Sequence, residues 1–119
     1  MIKSLIYTSA FLVGTSLFAT DAQTLIQENG CFACHALASK KSAPAFKGVA
    51  RRNKRFNGSN AKLSIMNSIK NGSQGKYRHF TGAAMPSFSN LTPADLSTLA
   101  DYILSQGSKS GSCKHSFSN

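Results

Sequence analysis

This sequence predicts an all-α fold, and three observations carry the prediction. No stretch of the 119 residues alternates apolar and polar side chains at a period of two, so a half-buried strand finds no support. Apolar residues instead recur three and four apart, in segments bracketed by helix starts and stops. Where that recurrence lapses, over 72–90, glycine, serine and proline punctuate the chain and read as a loop.

The chain opens on Lys3 followed by an apolar run over 5–19. That pattern is a secretory signal, with usable cleavage points after Ala19 and after Ala22. The run is short for a bilayer span of about 20 residues, which favours cleavage over anchoring. The expected layout is a signal peptide over 1–22, one domain over 23–107 and a flexible polar tail over 108–119. A first helix starts at Thr20 or Asp21 and runs to about Asn29, with Leu25 and Ile26 inward and Gly30 as its stop. A loop over 39–43 carries Lys40 and Lys41 into solvent. A short helix over 44–52 buries Phe46 and Val49, then meets a basic, polar stretch over 51–60 that has no apolar period.

Asn60 is placed to cap a helix over 61–70, whose inward face is Leu63, Met66 and Ile69 and whose end is Asn71-Gly72. The last helix is the best defined. Thr92 caps it, Pro93 takes the first turn, Asp95 completes a capping-box pattern, and Leu96, Leu99, Ala100 and Ile103 line one face before Gly107.

The chemistry is concentrated in Cys31-Phe32-Ala33-Cys34-His35. Two cysteines three apart with a histidine after the second form the attachment signature of a c-type haem. Each thiol bonds one of two neighbouring vinyl groups, and the following imidazole projects under the ring to bind iron. Cys31 and Cys34 are the expected anchors, and His35 the proximal ligand. CxxC alone also serves zinc sites and thiol redox centres. Export agrees with the haem reading, because covalent haem attachment takes place outside the cytoplasm. A mature chain this small builds only a modest core, so a buried porphyrin would supply much of its apolar contact.

Charge adds a second constraint. Fourteen Lys and Arg stand against four Asp and Glu, a formal net charge of +10. Such an excess steers diffusion toward an acidic partner and makes association salt-dependent. Nucleic acid is the usual partner of so basic a chain, but an exported protein seldom meets it, so none is expected. Contact with an anionic membrane surface stays open.

The second axial ligand decides what the iron can do. Met66 belongs to an apolar helix face. Met85 lies in the irregular stretch, between small residues and Pro86, where an unbranched thioether can reach iron from the side opposite His35. His79 is the rival, and His115 in the tail a weaker one.

With these residues in place the chain resembles the short bacterial monohaem class I cytochromes c. The likeness rests on 29–36 around the attachment motif, on 43–50, on Ile69-Lys70-Asn71-Gly72-Ser73-Gln74-Gly75, and on the final helix from Leu91. It implies about four helices wrapped on one haem, the first and last crossing, with Gly30 and Tyr102 at the close approach. It also implies that the Pro44 carbonyl accepts the His35 ring N–H. The tryptophan that commonly bonds a haem propionate in this family is here Tyr77. The assisting arginine is absent, with Ser68 near its place, so Lys70 or Arg78 is the expected substitute. The methionine loop is longer than usual, and a single Pro86 follows Met85 where a prolyl pair is common.

The resulting expectation is a soluble, periplasmic or otherwise exported carrier of single electrons with one covalent haem c. Its partners are acidic redox proteins (a reductase, an oxidase or another cytochrome). They dock on a basic patch of Lys40, Lys41, Lys47 and Lys76, with Arg78 beside it. An enzyme is not expected, because only Asp95 and Asp101 supply carboxylates beyond residue 28. The alternatives are a haem-bearing subunit of a periplasmic oxidoreductase, a gas-binding cytochrome c with Met85 displaced, and, remotely, a zinc domain drawing on Cys113 and His115. Cys113 is the odd cysteine, left to join two chains or to remain an inert thiol.

Overall fold

The computed structural model describes residues 20–109. Residues 1–19 of the expected signal and 110–119 of the expected tail, with Cys113 and His115, lie outside the described residues.

Four α-helices build the domain: α1 (Ala22–Glu28), α2 (Phe46–Asn57), α3 (Ala61–Asn71) and α4 (Pro93–Gln106). Helix α1 starts where Asp21 accepts the Thr24 N–H, at 3.0 Å. It ends where the Asn29 amide donates to the Leu25 carbonyl at 2.8 Å and Gly30 turns into the left-handed region at φ 64°. The expected close approach at Gly30 is not found: a methyl group there would meet nothing within 4 Å. Gly30 is needed for its backbone angle, not to admit Tyr102. Helices α1 and α4 do meet, and among their contacts the Gln23 amide donates to the Tyr102 hydroxyl at 2.8 Å.

Helix α2 departs most from expectation. It runs to Asn57, five residues beyond the predicted end and through the supposedly aperiodic basic stretch. Its inward stripe is Phe46, Ala50 and Asn53, a 3.6-residue period written in one large, one small and one polar residue. The first turn has no capping side chain. Its leading N–H groups donate instead to the Ala36 and Leu37 carbonyls, at 2.9 and 3.0 Å, which folds the preceding loop against the attachment motif.

Helix α3 also has a different inner face. Ala61, Ile65 and Ile69 are buried, spaced four apart, whereas Leu63 is 55% exposed. Asn60 stands at the N-cap but makes no capping bond; a 3₁₀ turn (Gly58–Asn60) leads into the helix instead. Met66 packs against the core, as expected.

Helix α4 matches its sequence in detail. Thr92 and Asp95 form the reciprocal capping box, and Leu96, Leu99, Ala100 and Ile103 are all buried. Gly107 has a second reason to be glycine: a Cβ there would lie 2.8 Å from that of Ala50. Lys54 of α2 donates to the Leu104 carbonyl at 3.1 Å, placing a cation at the negative end of α4.

The core is one cluster where α2, α3 and α4 meet, with Leu25 and Ile26 of α1 closing it. A short antiparallel ladder departs from all-helix. Strand β1 (Ser73–Gln74) pairs with β2 (Ala84–Met85), Ser73 opposite Met85. Two residues per strand do not change the fold class, but the ladder places the methionine loop.

Candidate functional site

A single cleft of about 310 Å³ gathers the attachment motif, the end of α3 and the 72–88 loop. Cys31, Cys34, His35 and Met85 all line it. The motif itself turns as a 3₁₀ segment (Cys31–Ala33), with the His35 N–H donating to the Cys31 carbonyl at 2.9 Å. The two thiols are free rather than joined to each other. Cys31 is half-buried, and that burial pushes its thiol up from the ordinary cysteine range. Cys34 is exposed at the cleft mouth.

His35 is oriented by its own loop. Its Nδ1 lies 2.6 Å from the Pro44 carbonyl oxygen. A carbonyl can only accept, so the proton sits on Nδ1 and Nε2 keeps its lone pair for a metal. Phe46, 3% exposed, anchors this side of the site. Its ring centroid lies 5.3 Å from that of His35, 5.7 Å from Phe32 and 6.4 Å, edge-on, from Tyr102. The loop is fastened again by Lys41, whose ammonium donates to the Phe32 carbonyl at 2.7 Å. Lys41 is exposed, as its sequence context suggested, and is in addition tied to the motif turn.

Met85 reaches the cleft because its loop is pinned to the end of α3. Besides the ladder, the Ser87 hydroxyl donates to the Lys70 carbonyl at 2.6 Å and the Phe88 N–H to the Ile69 carbonyl at 3.0 Å. Gly72 permits this approach. Its φ is +79°, and a Cβ on it would stand 2.7 Å from the Met85 carbonyl oxygen. His79, the rival ligand, is exposed in a 3₁₀ turn (Arg78–Phe80) and does not line the cleft, whereas Phe80 does.

Several other expected site residues lie elsewhere. Lys70 and Arg78 are exposed and do not line the cleft. Lys70 ends α3 with its side chain outward, and Arg78 sits on the outer turn of the lengthened loop. Lys76, expected on the docking patch, is instead half-buried in the cleft wall, because its ammonium is drawn to Ser68 Oγ at 2.9 Å and Ser64 Oγ at 3.2 Å on α3. Tyr77 lines the cleft beside it and accepts a long hydrogen bond, 3.4 Å, from the amide of the buried Asn53. Lys40 is exposed and Lys47 half-buried.

Sequence reasoning missed Arg52 and Asn53. Arg52 donates to the Lys76 carbonyl at 3.0 Å, and its guanidinium stacks 5.1 Å from the Tyr77 ring centroid. Their signal was present: Asn53 stands four and seven residues from Val49 and Phe46, on the continuing inner face of α2.

The donor set and the walls fit a tethered porphyrin. Two unpaired thiols, a tautomerically fixed imidazole and a thioether share one cleft whose walls include Val49, Ile65, Ile69, Leu99 and Ile103. Such walls would exclude water from an apolar ring.

Comparison with known proteins agrees. The family model for cytochrome c matches residues 19–107. Cytochrome c-551 of Pseudomonas aeruginosa is 36% identical over 97 residues, spanning 80% of this chain and 86% of that one. Cytochrome c-552 of Nitrosomonas europaea is 33% identical over 101 residues, or 82% and 93% of the two chains. The crystal structure of wild-type Nitrosomonas europaea cytochrome c552 superposes with a TM-score of 0.60 at 31% identity, covering 71% of this chain and 98% of that one. The class 1 cytochrome MtoD of Sideroxydans lithotrophicus gives a TM-score of 0.57 at 25% identity, over 73% and 94%.

Proposed function

The chain belongs to the cytochrome c family, in its short class I monohaem branch, and from that premise we propose that it is an exported single-electron carrier with His/Met-ligated iron. Members of this family carry one covalently bound haem c. Cys31 and Cys34 would hold it by thioether bonds, with His35 and Met85 on the iron. The observation that best supports this reading is that Met85, and not His79, shares the cleft with the attachment motif.

When bound, the haem supplies reversible one-electron chemistry. The chain's task is to keep the site unchanged while the charge on it changes. The Pro44 bond holds the His35 ring in one tautomer and raises its basicity. The anchored loop holds a soft sulfur that favours the ferrous state. Aliphatic walls exclude water, which raises the energetic weight of each nearby charge. Among the described residues no aspartate or glutamate lines the cleft to drive a chemical conversion, which favours a carrier over a catalyst.

Export would remove the signal after Ala19 or Ala22, leaving a domain that runs to 107; cleavage after Ala19 keeps the Asp21 cap of α1, and cleavage after Ala22 removes it. The electron partner would be an acidic redox protein meeting the cations on the motif side, the exposed Lys40 and the half-buried Lys47 foremost, with the exposed Lys41 and Arg78 at the margin.

Protein-film voltammetry and carbon monoxide binding test the proposal together. A carrier gives a reversible one-electron wave, and its ferrous form leaves carbon monoxide unbound at neutral pH. Ready binding at neutral pH would mean that Met85 yields its place, and would move the reading to a gas-binding cytochrome.

A further inference from the structure

Lys76 is a half-buried cation in the cleft wall that meets only hydroxyls. Its ammonium donates to Ser68 Oγ and Ser64 Oγ, and the Ser68 hydroxyl in turn donates to the Ser64 carbonyl at 3.0 Å. Among the described residues no carboxylate lies within ion-pair distance of it; the recorded pair is Lys62 with Asp101. Arg52 stands directly behind, bonded to the Lys76 carbonyl and stacked on Tyr77.

Two neighbouring cations, one partly desolvated, cost stability unless an anion joins them. The strain registers on Lys76 itself, whose ammonium is held below the ordinary lysine range by burial first and by Arg52 second. Tyr77 adds a second unmet group. Its oxygen accepts from Asn53, while among the described residues its own proton has no acceptor. Lys76 and Tyr77 both line the cleft. The arrangement is complementary to a carboxylate, which takes one charge-assisted bond and one neutral one.

We propose that Lys76 and Tyr77 form the seat for one carboxylate side chain of the bound porphyrin, with Ser68 and Arg52 as positioning residues. This rests on the haem reading above. The family's tryptophan position accounts for Tyr77 alone; the cation comes from a different place in this chain. Where the assisting arginine is missing, Ser68 accepts from an ammonium delivered by the 72–88 loop, and the charge returns to the same region of the cleft. Lys70 and Arg78 stay outside.

The seat predicts an asymmetry between the two haem carboxylates. The one held by Lys76 gives up its proton at much lower pH than the other. A pH titration of holoprotein carrying isotope-labelled haem carboxylates, followed by NMR, reads both separately. In Lys76→Met the proton affinity of one carboxylate should rise at least about tenfold, one pKa unit, with the other unmoved. Lys76→Arg should restore the low value, and Lys40→Met should leave both alone. Should Lys76→Met fail to fold, Ser68→Ala keeps the charge but removes the nearer of the ammonium's two hydroxyl acceptors, and should raise the proton affinity of the same carboxylate about threefold. Equal titration of both carboxylates, unchanged by these variants in protein whose mass and colour show bound haem, would overturn the seat. Protein without haem would overturn the haem reading beneath it.

Discussion

Replacing Gly72 with alanine should unseat Met85, and the structure sets the size of the effect. Gly72 has φ +79° and ψ 171°, a region open almost only to glycine. Forcing an L residue there costs about 1–3 kcal/mol. The new methyl would also stand 2.7 Å from the Met85 carbonyl oxygen, 3.2 Å from the Ser87 nitrogen and 3.3 Å from the Pro86 carbonyl carbon. All three are backbone atoms, so relief requires moving the loop itself. Overpacking of this kind adds about 1–3 kcal/mol. Even a total of about 3 kcal/mol shifts the balance between seated and unseated loop on the order of a hundredfold, at about 1.4 kcal/mol per decade. The near-infrared band of ferric thioether-ligated haem reports the seated fraction. Gly75→Ala is the control: Gly75 also has a positive φ, 67°, but a methyl there meets nothing within 4 Å. Gly72→Ala should lose most of the band and admit carbon monoxide to the ferrous form, while Gly75→Ala keeps the band. A Gly72→Ala protein with an intact band, no less stable than Gly75→Ala, would refute the loop-anchoring reasoning.

Gly107→Ala should destabilise the fold by about 1–3 kcal/mol in denaturant unfolding, through contact with Ala50, and Ala50→Gly in the same chain should restore part of the loss. Burial raises the Tyr77 hydroxyl above its ordinary value, with the Asn53 bond and then Arg52 pulling it back. A raised folded-state value means stability intact below the unfolded tyrosine value of about 10 and lost as pH rises through the folded one. Tyr77→Phe should therefore lose less stability than the parent in that alkaline window; equal losses would remove Tyr77 as the cause. Reversing Lys40 and Lys47 to glutamate should slow electron exchange with an acidic redox partner at low salt and flatten its ionic-strength dependence, measured by stopped flow. Unchanged rates and slope would place docking elsewhere.

The parts of the fold that could be read in the sequence are those written locally. The box of Thr92 and Asp95 and the stripe from Leu96 to Ile103 lie within one helix, and both appear as expected. The second half of α2 was hidden because its buried residue is Asn53, which has no hydrophobic signature. Leu63 misled because a spacing of three fits a helix as readily as four, and only packing against α4 selects Ala61, Ile65 and Ile69. The site divides in the same way. Cys31, Cys34, His35 and Pro44 lie within one loop, and Met85 was marked by its small neighbours and Pro86. The inward turn of Lys76 depends on hydroxyls of α3 and on Arg52 of α2, contacts between segments that no spacing encodes.

Intact-mass analysis of the exported protein, made in cells competent for cytochrome maturation, tests the central claim most directly. The expected result is a coloured protein heavier by one haem, with the added mass confined to the peptide bearing Cys31 and Cys34 and lost when both are changed to alanine. A colourless protein at its unmodified polypeptide mass would contradict the account.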